Sequence, residues 1–112
     1  MRRAESVYLQ HILEAIARIE VYLEGLDERD FFEDRRTQDA VVRQLEIIGE
    51  ATKRLSGDVR NRSPSIPWQD MAGMRDKLIH NYFSVDMRRV WLTATRDLPP
   101  LKASIAEILK DL

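Results

Sequence analysis

The chain has 112 residues, of which 44% are hydrophobic and 33% are charged, so we expect residues 1–112 to form a single globular domain with a modest core. Its 18 basic and 19 acidic residues leave a net charge of −1, so we do not expect a basic surface that binds nucleic acid in general. Any nucleic-acid chemistry must then come from a local site. The absence of cysteine excludes disulfides, thiolate metal sites and cysteine nucleophiles, and no apolar run could span a membrane, so we expect a cytoplasmic protein without membrane contact.

The first predicted helix carries apolar residues at spacings of four and three, which is the pattern of one buried helical face. These residues are Tyr8, Ile12, Ala15, Ile19, Tyr22 and Leu26. Gly25 stands near the end of the pattern, where glycine commonly ends a helix. Residues 27–36 then form a charged connection, and we expect its Phe31 and Phe32 to pack back on the core.

A second apolar stripe follows, formed by Val41, Leu45, Ile48, Thr52 and Leu55. Gly49 lies inside this stripe and predicts a place where another helix comes close. The pair Ser56-Gly57 is expected to end the helix. Residues 58–67 are then expected to be the longest linker, because the asparagine, serines and prolines among them act against regular structure.

Pro67 is suited to open a third helix, because proline is favoured in the first helical turn. The segment Ser84-Val85-Asp86 ends that helix, and Asp86 predicts the N-cap of a fourth. The last helix keeps its apolar rhythm through Pro99-Pro100, although a proline pair normally ends or kinks a helix. We expect one long, kinked and continuous helix, with two helices in phase as the alternative. The fold class is therefore all-α, an antiparallel four-helix bundle.

The third helix carries an arginine in an unexpected place. Arg75 lies at the centre of its apolar face, where a guanidinium is costly unless it has a partner. Five apolar or aromatic residues fall within about 60° of it by helix geometry: Trp68, Met71, Leu78, Ile79 and Tyr82. Arg75 is therefore either paired inside the protein or borders a site that receives an anion.

His80 lies on the flank of the same helix, four residues after Asp76, whose carboxylate can reach the imidazole and orient it. Gly73, one turn further back, leaves room for a ligand or another chain. Arg75 is about 140° away around the helix, but its long side chain can bend towards the same cleft. Such a pair suits phosphodiester cleavage, since arginine stabilises charge on the phosphoryl oxygens while histidine moves a proton.

A single histidine does not suffice for cleavage through the 2′-hydroxyl of RNA, which needs both a base and an acid. The chain has only His11 and His80, so a symmetric dimer that joins two copies of the motif is the economical solution. On spacing alone, such an arginine is more often an ion-paired residue, and such a histidine more often a structural one, than a catalytic pair. Glu46 and Glu50 have no histidine at helical spacing, so we predict no metal site.

The segment Arg75-Asp76-Lys77-Leu78-Ile79-His80-Asn81-Tyr82 resembles the Arg-polar-x-x-x-His-x-Tyr signature of the HepT-like branch of the HEPN superfamily. Three other segments are similar to that family, and together they span nearly the whole chain in the right order. They are residues 43–51, residues 66–68 leading into 71–75, and Val90-Trp91 followed by residues 97–101.

The resemblance implies an α-helical domain that dimerises and places the motif in a cleft between protomers. Members are typically toxins of type II toxin-antitoxin pairs that act as metal-independent ribonucleases on RNA, and no cofactor is expected. The antitoxin is a minimal nucleotidyltransferase that transfers AMP from ATP to the motif tyrosine. Carried over, Arg75 and His80 are the catalytic pair, Asp76 is the supporting polar residue and Tyr82 is the modified tyrosine.

Two other functions remain open at the level of sequence. One is a non-catalytic binding module that serves as partner or substrate subunit of a nucleotidyltransferase, and the other is a plain helical dimerisation module.

AMP on Tyr82 would add a negative phosphate beside a cleft that must bind RNA, and this phosphate could pair with Arg75.

Overall fold

The computed structural model describes residues 2–80 and 84–112, and all regular secondary structure in these two ranges is helical, which confirms the all-α prediction. Three long helices are α1 Arg2–Tyr22, α3 Arg35–Lys53 and α5 Trp68–His80. The fourth long element consists of α6 Met87–Leu92, a π-helical segment Thr93–Asp97 and α7 Leu98–Lys110. Two short helices, α2 Glu28–Glu33 and α4 Gly57–Asn61, lie in the connections. In the described part of the chain, no helix is long and apolar enough to cross a membrane.

The long helices surround one apolar core. Near the start of α1, the Glu5 carboxylate accepts a hydrogen bond of 2.6 Å from the backbone N–H of Ser56, just beyond α3, so α1 and α3 run in opposite directions. Near the end of α1, Glu20 accepts a bond of 3.1 Å from Lys102 of α7, which runs back along α1. The most deeply buried aliphatic residues are Leu9, Ile12, Ile16, Ile19, Val41, Leu45, Ile48 and Ile105. Five of them belong to the stripes predicted from the sequence: Ile12, Ile19, Val41, Leu45 and Ile48.

The connection at residues 27–36 is itself largely helical, although the sequence predicted only a charged connection. Asp27 accepts a hydrogen bond of 2.8 Å from the N–H of Asp30, and the Asp30 carboxylate accepts one of 3.2 Å from the N–H of Asp27. This reciprocal capping box starts α2. Phe31 is fully buried, as expected, but Phe32 is 42% exposed, so only the first of the two phenylalanines belongs to the core.

The predicted linker at residues 58–67 is wrong at its start, because α4 occupies residues 57–61. The Ser56 hydroxyl accepts a bond of 3.3 Å from the N–H of Val59, and Val59 is buried. A serine cap and one buried side chain therefore form a turn of helix despite the unfavourable composition. Pro67 comes just before α5, as expected, and its carbonyl accepts a bond of 3.0 Å from the N–H of Met71.

The C-terminal helix is continuous through Pro99-Pro100, as predicted, but it includes a π-helical segment that the sequence did not indicate. The N–H of Leu98 donates to the carbonyl of Thr93, five residues earlier, so the turn before the prolines is widened. The prolines lie in the first turn of α7, where residues without an N–H fit best. Asp86 caps the start of α6, as predicted, by accepting bonds from two backbone N–H groups.

Gly49 is the place where α3 and α5 touch most closely. A Cβ atom added at Gly49 would lie 2.9 Å from the backbone nitrogen of Arg75 and 3.0 Å from the carbonyl oxygen of Met71. Both distances are shorter than non-bonded atoms tolerate, and both partners are main-chain atoms. This contact confirms the predicted close approach, and it places the backbone of Arg75 directly on α3.

We predict that Gly49→Ala destabilises the protein by about 1–2 kcal/mol, because the cost of overpacking exceeds the helix-propensity gain of about 1 kcal/mol. Urea denaturation measures this change. Gly57→Ala is the matched control, since a Cβ there meets nothing within 4 Å and should shift stability by less than about 0.5 kcal/mol. An unchanged urea midpoint for Gly49→Ala would contradict the close contact.

Candidate functional site

Arg75 begins on the apolar side of α5, but its side chain turns away from the core and is 41% exposed. Its Nε lies 3.4 Å from Oε2 of Glu50 on α3, and its Nη1 lies 3.5 Å from Oδ1 of Asp76. The two alternatives left by the sequence therefore do not exclude each other. The guanidinium has partners within the protein, and it remains accessible to an anion from solvent.

The apolar face around Arg75 is narrower than helix geometry predicted. Trp68, Met71 and Leu78 are buried, as expected, whereas Ile79 is 44% exposed. Tyr82, the predicted modification site, lies outside the described residues. Ile79 therefore belongs to the outer surface of α5, next in sequence to the exposed His80.

Asp76 is held by α3. Its Oδ2 accepts a hydrogen bond of 2.9 Å from Nζ of Lys53. This bond lowers the pKa of Asp76 below the ordinary aspartate value, and the charges of Lys53, Arg75 and His80 lower it further. Asp76 is therefore a carboxylate at neutral pH. The sequence suggested that this carboxylate orients His80 directly. Within the described residues, its hydrogen bond goes to Lys53 instead.

Five charged residues of alternating sign join α3 to α5, and we call them the charge ladder. They are, in order of contact, Arg54, Glu50, Arg75, Asp76 and Lys53. The outermost contact joins Nη2 of Arg54 to Oε1 of Glu50 over 3.5 Å. The sequence alone did not indicate a role for Lys53 or Glu50 beside the motif. The signal that could have found them is their place beside Gly49, the residue that marks the helix crossing.

Four residues share one face of α5 by helical spacing, Gln69, Gly73, Asp76 and His80, and Asp76 lies at the edge of this face next to α3. A Cβ at Gly73 would meet nothing within 4 Å, so the surface at its centre is open. His80, the last residue of α5, is exposed at one end of this face. The face therefore has room for a ligand or another chain, as the sequence suggested.

A cavity of about 640 Å³ lies on the other side of α5. Its walls include Met71, Met74 and Leu78 of α5, Leu45 of α3 and Thr93 of the π-helical segment. Neither Arg75 nor His80 lines it. Arg75 and His80 therefore lie at the surface of α5, outside the cavity.

Possible metal ligands are dispersed in the described ranges. No group of three histidine, aspartate or glutamate residues there could hold a metal ion together. Glu46 lies 3.7 Å from Arg43 on α3, and Glu50 pairs with Arg54 and Arg75.

Comparison with known proteins places this chain in one family. The sequence profile described as "Ribonuclease HepT-like" matches residues 12–108. The chain is 47% identical over 110 residues to the "Probable ribonuclease HepT" of Thermococcus cleftensis, covering 98% of this chain and 100% of that protein. It is 43% identical over 103 residues to a "Putative RNase" of Caldanaerobacter subterraneus, covering 92% of each.

A third relative is longer than this chain. It is a Methanocaldococcus jannaschii protein named "Gamma-glutamylcyclotransferase and putative RNase", and it is 46% identical over 112 residues, which are 100% of this chain and 50% of that protein. No solved structure matches the chain significantly. The matched profile includes all of α3 and α5, the two helices that hold the charge ladder. The chain therefore belongs to the ribonuclease HepT-like family of the HEPN superfamily.

Proposed function

We propose that this protein is a ribonuclease that cuts RNA by metal-independent acid–base chemistry with Arg75 and His80. The observation that carries the proposal is the contact of 3.5 Å between Nη1 of Arg75 and Oδ1 of Asp76. Asp76 shares a helical face with the exposed His80, so this contact supports a guanidinium directed towards that face. Membership of a ribonuclease family, and relatives named as ribonucleases, support RNA as the substrate class.

In this proposal the two side chains have different tasks. His80 transfers a proton to or from the reacting oxygens of RNA, and it is exposed enough to meet a polymer. Arg75 donates hydrogen bonds to the phosphoryl oxygens, where negative charge develops in the transition state. Asp76 keeps the guanidinium directed towards the face that carries His80. Both side chains that would contact the phosphate are then at the protein surface.

Efficient cleavage needs an acid and a base, so we propose that the active form is a homodimer. The open face around Gly73 allows a second copy to approach, and the exposed Ile79 gives the contact an apolar residue. Two copies of His80 would then share one cleft. His11 is a weaker candidate for the second group, because it lies on α1 with its ring edge against Tyr8.

We further propose that the protein is the toxin of a toxin-antitoxin pair, controlled by a nucleotidyltransferase that attaches AMP to Tyr82. This part rests on the resemblance of the motif to the family signature. The physical reason is charge, because Tyr82 follows Arg75 by only seven residues in the sequence. A phosphate on Tyr82 would compete with RNA for Arg75 or repel it.

One observation favours a second candidate function, a non-catalytic module that binds a nucleotidyltransferase. Arg75 already lies near two carboxylates, and the chain as a whole has a net charge of −1. Both features weaken attraction for RNA. A binding module would need neither a free guanidinium nor a proton donor. Cleavage assays separate the two functions.

We predict that Arg75→Ala and His80→Ala each lower the rate of RNA cleavage by at least about 100-fold, because each removes a group that acts in the transition state. The measurement is cleavage of a labelled RNA, with folding checked by circular dichroism. His11→Ala should cleave at the wild-type rate. Wild-type cleavage should also persist in excess EDTA. If wild-type protein leaves RNA intact, the binding-module function is favoured.

We predict that Gly73→Arg produces a monomer that cleaves RNA poorly. The new side chain meets open space within its own chain, so the fold should hold, but the side chain would obstruct a second copy on this face. Light scattering after gel filtration gives the oligomeric state. Gly57→Arg is the control, since position 57 is equally open. A fully active Gly73→Arg dimer would place the interface elsewhere.

We predict that coexpression with the nucleotidyltransferase adds AMP to the wild-type protein and to Tyr8→Phe, but not to Tyr82→Phe. Intact mass measurement detects the addition. The unmodified Tyr82→Phe protein should still inhibit growth in the presence of the nucleotidyltransferase. Protection of these cells by a catalytically inactive nucleotidyltransferase would show that binding alone neutralises the toxin.

A further inference from the structure

We propose that α3 supplies two positioning residues of the cleavage site, with Glu50 fixing the guanidinium of Arg75 and Lys53 fixing the carboxylate of Asp76. This inference rests on the proposed function, since it assigns roles around the same motif. It adds residues of α3 to a site whose described members, Arg75, Asp76 and His80, all lie on α5.

The charges on the two helices match pair by pair. Glu50 and Lys53 are three residues apart on α3, and they face Arg75 and Asp76, which are neighbours on α5. The sign of each residue on α3 is opposite to that of its partner on α5. A shift of either helix along the other would bring like charges together. The ladder therefore favours one register of α5 on α3.

The guanidinium of Arg75 is held on two sides. Glu50 lies 3.4 Å from Nε, and Asp76 lies 3.5 Å from Nη1. These contacts are made by Nε and Nη1, and the side chain is 41% exposed, so a phosphoryl oxygen can still reach the guanidinium. A free arginine side chain samples many rotamers, and two anchors restrict this sampling. The consequence is a donor fixed in direction before RNA binds.

Lys53 acts at the second anchor. Its hydrogen bond of 2.9 Å is the shortest contact of the ladder, and it holds Asp76 beside Arg75. Without Lys53, the Asp76 carboxylate could leave Arg75 and turn towards His80, one helical turn away. Loss of Lys53 would then change the surroundings of both motif residues.

We expect loss of either positioning residue to lower kcat and to leave the free energy of unfolding nearly unchanged. Contacts of the ladder are half-exposed, and such ion pairs contribute little to the free energy of unfolding. Catalysis is more sensitive, because a displacement of about 1 Å can lower a rate by about 100-fold. Positioning residues should therefore give folded variants with a lower kcat.

The first test compares Glu50→Gln and Lys53→Met in steady-state cleavage of a short RNA. We expect kcat to fall about tenfold in each, with KM within about twofold of the wild-type value. Lys53→Arg should recover about half of the wild-type kcat, because it keeps the charge that Asp76 needs. Glu20→Gln is the matched control, since it removes a cross-helix ion pair of 3.1 Å with Lys102, away from the site.

A double-mutant cycle tests whether Lys53 acts through Asp76. In an Asp76→Asn background, Lys53→Met should cause no further loss of kcat, because its partner is already gone. Independent losses that multiply would overturn the proposal for Lys53. Wild-type kcat in Glu50→Gln would overturn it for Glu50, and so would a loss fully explained by a larger unfolded fraction.

A second readout needs no cleavage at all. Nuclear magnetic relaxation of the Nε–H group of Arg75 reports how firmly the guanidinium is held. We expect an ordered signal in the wild-type protein and greater mobility in Glu50→Gln, but not in Glu20→Gln. Equal mobility in wild-type protein and Glu50→Gln would overturn the positioning role. If wild-type protein proves unable to cut RNA, the proposed function fails and this measurement still decides whether Glu50 holds Arg75.

Discussion

The close contact at Gly49 is the constraint on which the site depends. Main-chain atoms of Met71 and Arg75 lie so near this glycine that a methyl group would not fit between the helices. Because α5 approaches this far, half-exposed side chains of moderate length can bridge the two helices. The pairs of Glu50 with Arg75 and Lys53 with Asp76 follow from this approach. If α3 and α5 were further apart, each charged group would be solvated and unpaired.

The position of Arg75 combines two properties that are usually opposed. Its backbone lies on the packed side of α5, while its guanidinium is partly exposed and lies near two carboxylates. The two carboxylates lower the cost of a guanidinium near the core, and partial exposure keeps the guanidinium accessible to an anion. A chain with a net charge of −1 can therefore offer RNA one local, directed cation without a basic surface around it.

Periodicity and local chemistry predicted much of this fold. The apolar stripes, the Asp86 cap and the glycine at the crossing are properties of single segments, and each is confirmed. Three features could not be predicted in this way. The short helices α2 and α4 depend on one cap and one buried side chain each, and the π-helical segment depends on how the last helix packs. The roles of Glu50 and Lys53 depend on the register between two helices, which no single segment contains.

The contact at Gly49 also affects how this sequence can change over time. The spacing of α3 and α5 is set there by main-chain atoms, which every amino acid shares. Side chains elsewhere along the two helices can therefore exchange one apolar shape for another without altering the distance that the ion pairs must bridge. The spacing of the two helices is therefore most sensitive to a change at one small residue, Gly49.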